Sequence, residues 1–186
     1  RTVEATLGAE ALRTSLQAAL IGVLILMVYM VLVYRMLGLI ADVALSAYAL
    51  IFFAILKLPL FLFSSNHIVL TLAGMAGIIL SLGMAVDANV LIFERMKEEL
   101  RKGKMLKTAA DTGFQRAWPS IRDGNMSTFI TCTILFIIGT SIVKGFAVTL
   151  GMGVLISMFS AIVITRFLLH KVAQTKLAEN KALFCG

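Results

Sequence analysis

Charge is scarce in this sequence. Asp, Glu, Lys and Arg make up only 15% of the 186 residues while 60% are hydrophobic, a balance that excludes a water-soluble domain. Cysteine is scarcer still. Cys132 lies inside an apolar run and Cys185 at the tail, and neither has a companion at metal-ligand spacing, so no metal centre, no cofactor and no disulfide pair are expected. An initiator Met is missing, and so is a signal peptide, because Arg-Thr-Val-Glu-Ala-Thr-Leu-Gly has no basic-then-apolar order. The chain is therefore expected to be a piece of something longer. The alternation of barrel strands over ~10 residues is absent too, and the apolar runs are instead continuous for ~18 residues or more. The fold expected from this is an all-α membrane protein.

Five transmembrane helices are predicted, over about 16–34, 39–56, 68–93, 125–143 and 146–169. Tight turns are expected at Met36-Leu37-Gly38 and at Lys144-Gly145, and Lys57 and Pro59 mark the end of the second span. The net charge of +7 raises nucleic-acid binding as a reading, but the charges sit between apolar runs, where they set topology. Arg95, Lys97, Arg101, Lys102, Lys104, Lys107, Arg116 and Arg122 crowd the connection between the third and fourth spans. Arg166, Lys171, Lys176 and Lys181 stand at and beyond the end of the fifth, whereas the opposite loops hold only Lys57 and Lys144. The positive-inside rule then places the basic side in the cytoplasm and the N-terminus outside. The domain plan is residues 1–12 as the end of an outer domain, 13–170 as the membrane domain and 171–186 as a cytoplasmic tail.

The basic connection has helical character. Arg95/Glu99 and Glu98/Lys102 stand at i,i+4 spacing, and Gly103 is a stop signal. Leu106, Ala109, Ala110, Gly113, Phe114 and Ala117 then recur at helical spacing. They predict a short amphipathic helix on the inner membrane surface, with Trp118 at headgroup depth. Mixed charge signs in this stretch argue against nucleic acid as a partner.

One acid stands out. From Ile68 to Val86 no residue can ionise, and Asp87 closes the run. An ionisable group in a span costs roughly 2.5–3.5 kcal/mol on insertion scales, so it marks a buried polar pathway by default. The plainer alternative is an acid near a helix end, snorkelling to the headgroups. Gly83, one turn before Asp87 on the same face, leaves room beside the carboxyl. Asn125 and Thr128, at comparable depth, are its expected hydrogen-bond partners, with capping and interhelical bonding as the competing reading for both. Asp123 is the expected N-cap of the fourth span, and Asp42 an interfacial acid near a helix N-terminus. In the fifth span Thr149, Gly153, Ser157, Ala161 and Thr165 recur every four residues, a small-residue stripe for close helix packing.

Several of these stretches resemble a known family. Leu70–Ile79 followed by Gly83–Arg95, Asp123-Gly124-Asn125-Met126-Ser127-Thr128, Gly139-Thr140 with Lys144–Gly151, and Ser157-Met158-Phe159 with Thr165-Arg166 are similar, in this order, to the signature of the SecD/SecF protein-export family, SecD branch. The resemblance covers nearly the whole chain, leaving out Phe184-Cys185-Gly186. It implies the resistance-nodulation-division architecture, with this chain as spans two to six of a six-span half. It also implies a non-enzymatic translocation component of the bacterial inner membrane, with SecF as the pseudo-symmetric half and SecYEG and YajC as partners. An unfolded polypeptide in transit is the cargo. Asp87 would bind the coupling ion, a proton or in some relatives sodium, and SecF would supply the cation that pairs with it. The sequence departs from the family at Ala73, Ser141, Ile142 and Ser127, which predicts a straighter third helix and a different outer turn.

Other function classes fit less well. An intramembrane aspartyl protease would need a second intramembrane acid and a Gly-x-Gly-Asp motif, but Gly-Met-Ala-Val precedes Asp87. A non-conducting structural subunit of the translocon, or a related exporter of lipids or drugs, remains the alternative to proton-driven protein export.

Overall fold

The computed structural model describes residues 2–62, 72–175 and 184. The regular elements among them are α1 (Thr2–Tyr34), α2 (Met36–Leu62), α3 (Leu72–Arg101), α4 (Leu106–Ile138), α5 (Ser141–Phe159), a π-helical segment (Ser160–Thr165) and α6 (Arg166–Ala173). No strand occurs among the described residues, in line with the all-α expectation. Among the described residues, four helical stretches are long and apolar enough to cross a membrane: Glu10–Tyr34, Met36–Lys57, Leu72–Arg101 and Ser141–Ala173. The last is a single rod in which α5, the π segment and α6 follow without a break. The expected fourth span lies in α4, whose apolar half carries Asn125, Thr128, Thr131 and Thr133. The expected loop through Ser64, Ser65, Asn66 and His67, and the start of the third span at Ile68, lie outside the described residues.

Several boundaries differ from the sequence reading, each for a local reason. α1 and α2 reverse at a single residue, Arg35, held at φ 49°, rather than over Met36–Gly38. Gly38 already belongs to α2, where a Cβ would run into the Met30 carbonyl of α1. The turn expected at Lys144-Gly145 falls at Gly139-Thr140 instead. Both residues are extended, and the Gly139 N–H donates to the Leu135 carbonyl at 2.8 Å to close α4. Lys144 therefore sits in the first turn of α5, its ammonium 5.8 Å from the Phe136 ring centroid.

The amphipathic stretch at 106–117 is not a separate surface helix. It is the first part of α4, which passes through Pro119 unbroken, so Asp123 is mid-helix and not an N-cap. Its apolar face is used against α3: a Cβ on Gly113 would stand 2.7 Å from the Met96 nitrogen. Trp118 is half-buried and stacked on Phe114, with ring centroids 6.3 Å apart. α3 likewise runs on past Phe93, and Gly103 ends it at φ 89°, as a glycine in the left-handed region can do without strain. The result is an antiparallel α3–α4 hairpin.

The polar end of that hairpin is ordered by buried charge. Glu99 is buried, with its side chain only 4% exposed, and accepts from Lys102 at 2.7 Å, Lys104 at 2.6 Å and Arg116 at 2.8 Å. Arg116 also reaches Glu98 at 2.8 Å, and Arg95 reaches Glu98 at 3.0 Å. The pairs within α3 are thus i,i+3, not the i,i+4 pairs expected. Lys102 and then Lys104, as hydrogen-bond donors, hold the Glu99 carboxyl down from 4.5 to about 2. Lys97 is also buried, its ammonium 4.5 Å from the Tyr34 ring centroid and 3.9 Å from Glu94, which fastens α3 to the end of α1.

The centre of the bundle is the contact between α3 and the α5–π–α6 rod. On α3, Gly77, Ser81, Ala85 and Asn89 stand four apart and are all buried. They meet the small-residue stripe of the rod. A Cβ on Gly77 would collide with the Thr149 hydroxyl, and one on Gly153 with the Ser81 side chain. Near the other end Thr165 Oγ1 donates to Asn89 Oδ1 at 2.8 Å. The pairs ascend together in both helices, so the two run parallel. α2 joins this seam where Tyr48 donates its hydroxyl to Ser81 Oγ at 2.8 Å, and Ser160 donates to the Ala44 carbonyl at 3.3 Å.

Two outcomes follow. Replacing Gly77 or Gly153 by leucine should lower the thermal unfolding free energy of the detergent-solubilised protein by about 1–3 kcal/mol, the usual penalty of an overpacked contact. Unchanged stability in both variants would contradict the close approach. The second outcome concerns pH. Glu99 titrates lower in the folded chain than in the unfolded one, so its contribution is complete above pH 4.5 and is lost as pH falls towards about 2. Melting curves across that window should show wild-type stability falling, and Glu99→Gln should lack that part of the fall.

Candidate functional site

Asp87 owes its position to the seam just described. Residues 81, 85 and 89 face the rod, and in a helix of 3.6 residues per turn a residue two positions from both Ala85 and Asn89 points the opposite way. Asp87 is accordingly exposed on the outer face of α3, and among the described residues it makes no hydrogen bond or ion pair. Gly83, a turn earlier, is exposed as well, and a Cβ there would meet nothing within 4 Å. The space expected beside the carboxyl is therefore open.

The carboxyl looks into a groove between α3 and α4 of about 250 Å³, lined by Met84, Asp87, Ala88, Leu91, Ser120, Ile121, Gly124 and Asn125. Asn125 is thus brought to the same groove as Asp87, as depth matching suggested, but neither it nor Thr128 bonds the acid. Asn125 Nδ2 donates to the Ile121 carbonyl at 2.9 Å, and Thr128 Oγ1 donates to the Gly124 carbonyl at 3.2 Å. Short polar side chains inside a helix reach their own carbonyl one turn back more readily than a neighbouring helix. Thr128 does not line the groove.

Small and polar residues recur on the surface around Asp87, beside the apolar groove residues Met84, Leu91 and Ile121. Gly83 and Asp87 on α3, and Ser120, Gly124, Ser127 and Thr131 on α4, are all exposed along it. Such residues gain nothing from lipid and suit close helix contact. Gly153, Ser157 and Ala161 belong to the opposite side of α3, buried in the seam, with Ser157 Oγ donating to the Val154 carbonyl at 2.8 Å. Among the described residues, no three of His, Cys, Asp and Glu converge as a metal set would.

Sequence reasoning overlooked Asn89 and Tyr48, and took Ser81 only as a small residue, although these three carry hydrogen bonds between helices. The four-residue spacing of Gly77, Ser81, Ala85 and Asn89, matching the stripe at 149–165, was the available signal. Asp42, expected at an interface, is buried at 8% exposure in α2, its main-chain carbonyl accepting from Ser46 at 2.8 Å.

With this geometry in hand, comparison with known proteins is direct. The family described as "Protein export membrane protein SecD/SecF, C-terminal" matches residues 1–175. The chain is 53% identical over 183 residues to the protein translocase subunit SecD of Thermobaculum terrenum, covering 96% of this chain and 34% of that protein. It is 48% identical over 184 residues to SecD of Acidaminococcus fermentans, covering 99% of this chain and 42% of the relative. Among solved structures, that of SecDF from Thermus thermophilus, titled a translocon-associated membrane protein, superposes with a TM-score of 0.83 at 40% identity, over 90% of this chain and 22% of that one. A SecDF structure in a super-membrane-facing form gives 0.77 at 41% identity. The chain thus spans less than half the length of these relatives. A multi-pass helical membrane segment, matched along almost its whole length, belongs to the SecD/SecF family of protein export membrane proteins.

Proposed function

We propose that this chain is the membrane part of a SecD-type subunit that uses an ion gradient to assist protein translocation, with Asp87 as the group that binds and releases the ion. The observation that carries the reading is the position of Asp87: an acid on an apolar helix, exposed, facing a groove that it shares with Ser120 and Asn125, with no partner among the described residues. An ionised acid left against hydrocarbon costs roughly 2.5–3.5 kcal/mol on insertion scales. That cost is relieved by protonation or by a cation from a second helical half docked on the α3–α4 face. The relatives are named translocase subunits, and a SecF-type half is the natural supplier of that face and that cation.

In this reading the carboxyl takes up a proton from one side of the membrane and gives it up to the other. The docked half rearranges with each change of charge, and translocation of an unfolded polypeptide through SecYEG, assisted by YajC, draws on that movement. A membrane potential supplies about 2.3 kcal/mol per charge per 100 mV, comparable with the cost of the bare acid, so one ion suffices to bias a two-state rearrangement. The basic α3–α4 elbow and α6 lie on the cytoplasmic side of the inner membrane, and the start of α1 on the outer side. Sodium would serve the same carboxyl in the same way.

Asp87→Asn in the full-length protein should abolish the stimulation of export by a proton gradient while leaving assembly in the membrane intact. Export assays on inverted vesicles, with and without the gradient, provide the check. A variant as strongly stimulated as the wild type would refute the role of Asp87. Wild-type assistance that is indifferent to both proton and sodium gradients would favour a purely structural subunit.

A further inference from the structure

Among the described residues, the α3–α4 elbow carries positive charge that no acid balances. Along the polar ends of the two helices, Glu94 is engaged by Lys97, Asp111 by Arg166 and His170, and Asp123 by Arg122. Glu98 and Glu99 are left to face Arg95, Arg101, Lys102, Lys104, Lys107 and Arg116, six cations against two carboxylates. The excess is concentrated at one point, because Lys102, Lys104 and Arg116 all lie within 2.8 Å of the Glu99 oxygens. Even counting Glu98, which Arg95 and Arg116 share, the cations in contact outnumber the carboxylates. Arg101 and Lys107 are exposed beside them and make no ion pair among the described residues.

We propose that this elbow is a binding site for the phosphate headgroups of anionic lipids. Buried Glu99 gathers three cations into a fixed cluster whose surplus charge calls for a second anion, and a phosphate supplies it with several acceptor oxygens. Depth selects the lipid over soluble polyanions. Glu99 lies six residues beyond Phe93, the last apolar residue before Glu94, which is ~9 Å along a helix. The headgroup layer on each side of a ~30 Å hydrocarbon core is about 5–8 Å thick. Arg95 and Arg116 stand nearer the core than Glu99, so the cations span the level of the phosphates. The site is independent of Asp87 and of ion coupling, since none of its cations lines the groove that Asp87 faces.

The experiment uses the full-length protein in nanodiscs of phosphatidylcholine containing phosphatidylglycerol, with retained lipids counted by native mass spectrometry. Phosphatidylglycerol should be retained in preference to phosphatidylcholine. Arg101→Gln and Lys107→Gln should each reduce that preference about fivefold, the equivalent of ~1 kcal/mol per basic residue at a membrane surface. Neither side chain is paired among the described residues, so thermal stability should not change, which separates lost binding from lost folding. Equal retention of the two lipids by the wild type would overturn the proposal. So would a preference indifferent to both substitutions, or retention of a short RNA by the solubilised protein without any preference for phosphatidylglycerol.

Discussion

The close approach of α3 to the α5–π–α6 rod governs most of what this chain presents to its surroundings. Hydrophobic burial cannot drive helices together where the solvent is itself hydrocarbon, so contact depends on bare backbone and a few hydrogen bonds. Gly77 and Gly153 provide the first, and the Tyr48–Ser81 and Thr165–Asn89 bonds the second. Once that face of α3 is committed, its reverse is committed too. Asp87 stands outward because Ser81, Ala85 and Asn89 must stand inward. The exposure of the acid is thus not a local choice at residue 87 but a by-product of packing on the other side of the helix.

Charge is handled by a different rule at the elbow. Burying a carboxylate is tolerable only when its oxygens are satisfied, and Glu99 is satisfied three times over. Because Arg116 comes from α4 while Lys102 and Lys104 flank the elbow, one carboxylate pins the two helices in register. Lys97 performs the reciprocal task, its ammonium taken out of water against the Tyr34 ring and so tying α1 to α3. The hairpin is in this way stiffened by ions at its polar end and by small residues such as Gly113 along its contact face.

What the sequence made legible were the features that depend on composition over a full span. Continuous apolar runs gave the helical type of the elements, and four-residue spacing gave the packing stripe. Boundaries that depend on one or two residues were harder. The turn after α4 was expected at Lys144-Gly145 because a lysine and a glycine interrupt the run, but Gly139 already closes the helix and Lys144 settles over Phe136. The amphipathic pattern at 106–117 was correctly apolar on one face, yet the pattern does not say whether that face meets lipid or another helix. The partners expected for Asp87 failed for the same kind of reason: Asn125 and Thr128 share its depth, but each finds a carbonyl on its own helix first.

The π segment at Ser160–Thr165 has a consequence for the relation between the two ends of the rod. Side chains four apart on a 3.6-residue helix drift around the axis by about 40° per step, so the stripe from Thr149 to Ala161 would wander off a straight seam. A wider turn between Ser160 and Thr165 resets the phase, so that Thr165 still faces Asn89 and α6 still turns Arg166 and His170 towards Asp111. The segment therefore works as a phase-setter: its residue count, more than its chemistry, keeps the membrane half and the charged half of one helix aimed at their separate neighbours.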